Sequence, residues 1–562
     1  MSLIFADFEV YKYDWLVVFI NPIERTETVI VNDSKKLKLF YDENKNNIYV
    51  FFNGRQYDQY IFKAILLNFN PKIVNDWIIV EDKPGWKFSN LFNQININFF
   101  DIMTSFHGLK TLEGFMGNNI KETGVRFDIN RKLTTEEIQE TIEYCRHDVQ
   151  QTIKVFLKRK EEFDAHMSML KAFNLPINLI SKTKVQLAAI ILEARKQFRE
   201  DEFDIEYPHA MKIEKYKEVK RWYDNPLNRN YDKSLEINIA GVPHIFAWGG
   251  LHGARNNYVG TGHFLNVDVA SYYPSLMIEY GWGSRNCPSF EKYKTIYETR
   301  LKLKHEGKKK EQAPYKIVLN GTYGAMKDRF NNLYDPRQAN NVCVGGQLLL
   351  LDLIEKLENH CDIIQSNTDG ILVKLRGNEE LVKNICHEWE HRTGMNLEFD
   401  DYVKVIQKDV NNYIIVDKDG HYKSKGAYVK KLNDLDYDLA IVNEALINYF
   451  VHNIPVEQTI NSCDDLKKFQ KIFRVSGSYT HAMHGNKIIH DKTLRVFASA
   501  DLWDGGVYKV KGTTGTPEKF PDSSINCFIV NDDVNGMKVP AKLDRQYYIS
   551  LAKKRVSQFL NN

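Results

Sequence analysis

The sequence predicts a multidomain α/β protein, and three observations carry that expectation. The chain has 562 residues, which at about 150 residues per domain allows roughly three or four hydrophobic cores. Its composition, 43% hydrophobic and 27% charged, is that of an ordinary globular chain and excludes a disordered or collagenous one. Strand-like runs and amphipathic helical stretches alternate along it. No run approaches ~18 uncharged apolar residues, so no membrane span is expected. Asp7, Glu9 and Lys12 stand where a signal peptide needs an apolar core, so a cytoplasmic location is expected. The seven cysteines are scattered, with no C-x-x-C pair, which argues against a zinc site or a disulfide framework. The 76 basic and 73 acidic residues nearly cancel to +3, so net charge alone neither requires nor excludes a nucleic-acid partner. What matters is whether the opposite charges are segregated.

Taken in order, LIFADFEV, WLVVFI, TETVIV and NIYVFF read as strands, followed by helices. A long helix is expected from about Thr134 to Phe163, opened by the capping box Thr134-x-x-Glu137 and carrying the apolar stripe Ile138, Ile142, Cys145, Val149, Ile153, Phe156. Residues 164–235 begin helical and become a polar connection containing Pro208 and Pro226. Strands and helices alternate from 236 to 430. From 431 an initial helix gives way to mixed structure and a final basic helix.

Asp7 and Glu9 alternate with Ala6, Phe8 and Val10, so both carboxylates project from one face of the first strand. Two acids so placed repel unless a cation lies between them. NGRQYD follows the apolar run IYVFF and supplies Asn53 and Asp58. In YCRHD, Tyr144 and Asp148 lie one turn apart on the long helix. In this order, D-x-E, N-x-x-x-Y-D and Y-x-x-x-D resemble the three motifs of the DEDD-type 3′–5′ exonuclease domains of DNA polymerases. The resemblance implies an RNase H-like domain holding two divalent ions through Asp7, Glu9, Asp58 and Asp148. Tyr144 would orient the attacking water, and Asn53 would contact the substrate strand. The second motif is one residue longer than usual. Lys121 matches a catalytic lysine of the phage branch.

Further on, FLNVDVASYYPS delivers Asp268 at the end of a buried strand, where an unpaired acid is costly, and Ser271 with Pro274 reads as a helix start. In QAPYKIVLNGTYGAM, Gln312, Lys316, Asn320 and Tyr323 share one helical face, with Pro314 inside the helix or starting it. Arg300 and Lys304 form a basic pair on the preceding helix. CDIIQSNTDGILVKL reads as a hairpin around Asp-Gly. NNYIIVDKDGHYKSKGAYVKK reads as another, followed by Lys423, Lys425 and Tyr428. FAWGGLHGAR carries Gly249-Gly250.

These segments resemble motifs A, B and C, the K-x-Y element and the Y-x-G-G linker of family B DNA polymerases. Departures are Tyr272 for Leu, Gly321 for Ser, Asn367 for the first Asp of D-T-D-S, Gly370 for its Ser, and Ala247 for Tyr. The resemblance implies a right-hand polymerase in which Asp268 and Asp369 hold two Mg²⁺, with Mn²⁺ as substitute. Arg300, Lys304 and Lys316 would hold the triphosphate, and Tyr273, Asn320 and Tyr323 the rest of the nucleotide. Lys425, Tyr428, Gly249 and Gly250 would contact DNA. The implied layout is exonuclease 1–165, connection 166–235, palm 236–281 and 317–430, fingers 282–316, and thumb with C-terminal region 431–562. The implied partners are primer-template DNA, dNTPs and replication proteins, for a monomer of compact phage or plasmid type acting in a host-cell cytoplasm. Only 48 residues separate Asp268 from Lys316 and 43 separate Gly324 from Asn367, which leaves no room for the insertions that bind a terminal protein. A protein primer is therefore not expected. Two alternatives stay open: an exonuclease whose polymerase half is weakened by Asn367, and a primer-template-binding protein without catalysis.

Overall fold

The computed structural model describes residues 1–104 and 107–560. Strands β1 (Leu3–Val10), β2 (Trp15–Asn21), β3 (Thr26–Val31), β4 (Ile48–Phe51) and β5 (Phe99–Asp101) form a five-stranded mixed sheet in the order β3-β2-β1-β4-β5. The first three strands pair antiparallel, β4 pairs parallel with β1, and β5 pairs parallel with β4. Beside this sheet lie the helices Asp58–Leu66 and Thr135–Lys158. Both bonds of the expected capping box form: the Glu137 amide donates to Thr134 Oγ1 and the Thr134 amide donates to Glu137 Oε2. The long helix stops at Arg159 rather than Phe163, and a separate helix, Lys160–Ala172, follows. Cys145, Val149 and Phe156 are buried as the stripe predicts.

A second sheet is wholly antiparallel. Its strands are β6 (Ser234–Ile239), β7 (Val242–Ala247), β8 (Leu251–Ala254), β9 (Tyr258–Val269), β10 (Cys361–Asn367), β11 (Gly370–Leu375), β12 (Leu397–Asp409), β13 (Asn412–Val416) and β14 (Tyr422–Lys425), in the order β14-β13-β12-β9-β11-β10-β8-β7-β6. The sequence between β9 and β10 forms the helices Tyr272–Glu279, Glu291–His305, Lys309–Lys327 and Pro336–Leu357. The last is apolar nearly all round (VCVGGQLLLLDLI) and accordingly buried along its length. Glycine is required within it: a Cβ on Gly345 would fall 2.5 Å from the Trp282 ring. Pro314 lies inside Lys309–Lys327, in its second turn, and does not interrupt it.

The C-terminal strands β15 (Lys471–Arg474), β16 (Tyr479–His484), β17 (Lys487–Ile489), β18 (Thr493–Ala498), β19 (Val507–Lys511), β20 (Pro517–Lys519) and β21 (Cys527–Ile529) make two small sheets, β15-β18-β21 and β17-β16-β19-β20. The chain forms two compact units. One comprises residues 1–182, 432–441 and 460–548; the other comprises 183–431, 442–459 and 549–562. The C-terminal region, read from sequence as a single stretch from 431, is thus divided between them. Its β-rich part completes the first unit through Arg495 on β18. This side chain is fully buried and donates to the carbonyls of Gly114 (3.2 Å), Asn118 (2.6 Å) and Val530 (3.3 Å), and to Gln470 Oε1 (3.0 Å). No alternation pattern reveals an arginine used in this way.

Candidate functional sites in the two units

In the first unit, Asp7 and Glu9 emerge from β1, Asp58 opens its helix, and Asp148 comes from the long helix. Ligand atoms of Asp7, Glu9 and Cys145 lie within 4.8 Å of one another, as do those of Glu113, His147 and Asp148. Asp58 Oδ1 accepts the Phe8 amide at 3.3 Å, tying the second acid element to β1. Burial, followed by repulsion from Asp148, pushes the Asp7 carboxyl up to about 8. Burial and then Asp7 push Glu9 well above the carboxylate range, and burial, Asp7 and Asp101 do the same to Asp58. Burial raises Asp148 to about 6, against the pull of Lys110. Burial, followed by the neighbouring Asp148, Glu9 and Asp7, pushes the Tyr144 hydroxyl's pKa up.

Three participants, Lys110, Glu113 and Asp101, escape sequence reading. Lys110 donates to Asp148 and, at 3.1 Å, to Glu113, and its ammonium lies 4.6 Å from the Tyr144 ring centroid. Lys121, the lysine singled out from sequence, has an exposed side chain; its backbone amide bonds Glu113 Oε2. Asp101, at the end of apolar β5, accepts the amides of Asn53 (3.0 Å), Arg55 (2.9 Å) and Met103 (3.0 Å). It thereby holds Asn53, at φ 68°, in the turn that leads to Asp58. The only sequence signal for Asp101 was an acid terminating an apolar run, the same signal that marked Asp268.

In the second unit, Asn266, Asp268, Asn367, Asp369, Tyr413 and Lys423 line a cavity of about 230 Å³ on the antiparallel sheet. Asp268 stands opposite Gly370 on β11 and Glu398 on β12. Its Oδ2 accepts Asn266 Nδ2 at 2.6 Å. Burial and then Asp369 raise Asp268 to about 6. Burial also raises Asp369, opposed by backbone hydrogen bonding and by Lys425. The expected hairpin is present, closed by the pair Asn367–Gly370. Asn367 is cross-strand from His252 on β8. Gly250 lies against this turn: a Cβ on it would be 3.7 Å from Thr368 Oγ1, whereas Gly249 faces open space.

Around this cavity the predicted nucleotide residues separate into two groups. Tyr273 and Tyr323 bring their rings to 4.2 Å, from two different helices. Lys316 and Asn320 are exposed on the Tyr323 helix. Arg300 is buried, and its guanidinium donates to Ser271 Oγ at 2.6 Å. That contact holds Ser271, a non-glycine residue at φ 52°, in the turn after β9. Lys304 pairs with Glu398 at 3.0 Å, and Lys423 with Asp400 at 2.9 Å. Tyr428 is turned elsewhere: Arg555 lies 4.3 Å from its ring centroid.

Both sites offer clustered carboxylate oxygens whose ionised forms are disfavoured by burial and by one another. That donor set fits hard divalent cations such as Mg²⁺ or Mn²⁺, and Lys110 is the cation that relieves part of the charge in the first unit.

No family model matches the chain. It is 26% identical over 197 residues to DNA polymerase 1 of Saccharolobus solfataricus, an alignment covering 34% of this chain and 21% of that protein. The matched part is thus about a fifth of that relative's length. It is 37% identical over 70 residues to the uncharacterized mitochondrial protein ymf34 of Marchantia polymorpha, covering 12% of this chain and 89% of that protein. Among solved structures it is similar to the family B DNA polymerase of Pyrobaculum calidifontis, with TM-score 0.42 and 15% identity over 100% of this chain and 78% of that one.

Proposed function

We propose that the chain is a template-directed DNA polymerase with a 3′–5′ proofreading exonuclease, of the compact family B kind found in phages and plasmids. The observation that carries the reading is the single cavity shared by Asp268, Asp369 and Lys423, with the Tyr273–Tyr323 pair on the helices that follow β9. The acid cluster of the first unit, on a mixed β3-β2-β1-β4-β5 sheet, supports an RNase H-like exonuclease. The Saccharolobus relative is named a DNA polymerase, and the same activity is proposed here. The long antiparallel sheet would be the palm and the helix pair Glu291–His305 and Lys309–Lys327 the fingers.

Asp268 and Asp369 would hold two divalent ions at the polymerase site, and Asp7, Glu9, Asp58 and Asp148 two at the nuclease site. When bound, such ions supply the charge that stabilises the attacking and leaving oxygens of phosphoryl transfer. The chain's own residues do the rest. Lys316 and Lys304 neutralise the incoming triphosphate, and Arg300 steadies the Ser271 turn beneath it. Tyr273, braced by Tyr323, walls the sugar. Lys425 and Gly250 flank the Asp369 turn where the primer end lies. Tyr144 orients water in the nuclease site.

Primer extension on a plain oligonucleotide primer-template with Mg²⁺ tests the reading. Asp268→Ala abolishes synthesis and leaves digestion; Asp7→Ala with Asp148→Ala does the reverse. A wild-type protein that digests the primer but incorporates no dNTP refutes the polymerase reading. It would favour the alternative suggested by Asn367, a nuclease with a weakened polymerase half.

A further inference from the structure

The cavity of the second unit holds one polar group that the polymerase reading leaves without a task. Gln365 on β10 lines it and is only 6% exposed, and its Oε1 is buried with no hydrogen-bond donor among the described residues. A buried acceptor in that state is costly unless a ligand brings the donor. Its strand neighbours offer none, since Gln365 stands between Ala254 on β8 and Leu372 on β11. Four donors on the cavity wall are already committed. Asn266 donates to Asp268 (2.6 Å), Lys423 and Tyr402 to Asp400 (2.9 and 3.3 Å), and Ser424 to the Val429 carbonyl (2.7 Å).

An extra residue in the strand puts this side chain where it is. Between β10 and β11 the partners run Ile363–Val373 and then Gln365–Leu372, so one residue of β10 is unmatched. An unbroken ladder would pair Gln365 with the fully buried Ile371, on the opposite face from Leu372. The insertion turns the amide onto the face that carries Asn367 and, across Gly370, Asp268. Bulges beside active sites re-aim side chains in this way. Gln365 precedes Asn367 by two residues, about 7 Å along the strand. The sugar it faces therefore belongs to the last nucleotides of a primer whose end lies at the Asp369 turn.

We propose that Gln365 Oε1 accepts the 2′-hydroxyl of a ribose near the primer end, so that the chain prefers an RNA-terminated primer to a DNA one. The inference rests on the polymerase reading for the presence of a primer. A DNA strand has little to donate here: deoxyribose lacks the 2′-hydroxyl, and the minor-groove edge carries a donor only on guanine. The 2′-hydroxyl is the group by which a protein separates RNA from DNA at a single site. The terminal 3′-hydroxyl is common to both primers and does not discriminate between them.

The test measures primer-template affinity by fluorescence anisotropy, with Ca²⁺ in place of Mg²⁺. Primers without guanine near the 3′ end carry a single ribonucleotide at the last, second-last or third-last position. At one of these positions the ribose is expected to tighten binding roughly tenfold over the all-DNA primer, the scale of one buried acceptor gaining its donor. A 2′-fluoro nucleotide there, which keeps the RNA sugar pucker but has no donor, returns the all-DNA value. Gln365→Leu, similar in volume and apolar, removes the ribose gain, and an unchanged thermal melt reports its intact fold. No gain at any position overturns the proposal, as does a gain that 2′-fluoro reproduces or that survives Gln365→Leu. Equal weakening of both primers by Gln365→Leu also overturns it, since the amide would then serve the shared 3′-hydroxyl or a cation. A wild type that binds no primer-template at all overturns the polymerase reading as well.

Discussion

Asp268 fills the space that a side chain on Gly370 would occupy: a Cβ on the glycine would fall 1.9 Å from Asp268 Oδ1 across the β9–β11 ladder. Glycine where the resembled motif has serine is therefore coupled to the rotamer of the acid that would hold metal. Gly370→Ala forces the carboxylate to another rotamer. Single-turnover dNTP incorporation is expected to fall by about tenfold or more, roughly 1.4 kcal/mol of transition-state stabilisation, while primer digestion stays unchanged. Rapid-quench measurement of both activities checks it, and unchanged incorporation would show that the carboxylate's present rotamer is immaterial.

Asn367→Asp returns a carboxylate beside Asp369 in the same hairpin turn. The added negative charge should lower the Mg²⁺ concentration that half-saturates extension by roughly tenfold, about 1.4 kcal/mol of ion binding. A metal titration of primer extension reads this directly. Loss of activity would instead mean that the neutral amide is needed opposite His252.

Lys110 favours the ionised form of Asp148. Lys110→Met removes that bias, so Asp148 titrates higher and the acidic limb of the digestion profile moves to higher pH, while the profile for synthesis stays in place. Digestion at pH 7 is expected to drop by about 10²-fold, the scale of one positioned charge in a dry site. A parallel shift of both profiles would contradict separate sites.

The raised carboxyls also make stability depend on pH in a definite direction. Asp7 has its folded pKa near 8 against an ordinary 3.8, so the folded state binds the proton more tightly than the unfolded chain. Without divalent ions the first unit is most stable below about pH 4 with respect to this group, and loses stability as pH rises from there to about 8. Thermal unfolding in EDTA should show that decline, Mg²⁺ should reverse it at pH 8, and Asp7→Asn should raise the EDTA melting temperature by about 2–4 °C. A melting temperature in EDTA that rises through the same window would refute the burial argument.

The elements that carry chemistry were largely legible. Strand alternation exposed Asp7 with Glu9, the four-residue helical repeat aligned Tyr144 with Asp148, and Asp-Gly marked the hairpin of Asp369. These signals are local, because a period of 2 or 3.6 needs only a few neighbours. Lys110, Asp101 and Glu398 were not legible, since each acts on a partner at least 38 positions away in sequence, brought close only by sheet order or helix packing. Arg300 was found by its spacing to Lys304, yet its guanidinium serves Ser271, a contact that no periodicity encodes. The division of residues 431–562 between two units was hidden for the same reason: an arginine in a short strand reads as a surface residue until the carbonyls it satisfies are known.

Those carbonyls set an order of events during synthesis. Asn118 emerges from the ribosome 377 residues before Arg495, a wait of roughly 20–75 s at usual elongation rates. Through that interval the loop after the helix Leu109–Met116 lacks the donor that completes it, while β6 through β14 are being made. The first unit is thus finished only at residue 548, when all of the second but residues 549–562 has been made, so the unit that begins first cannot be completed well ahead of the other.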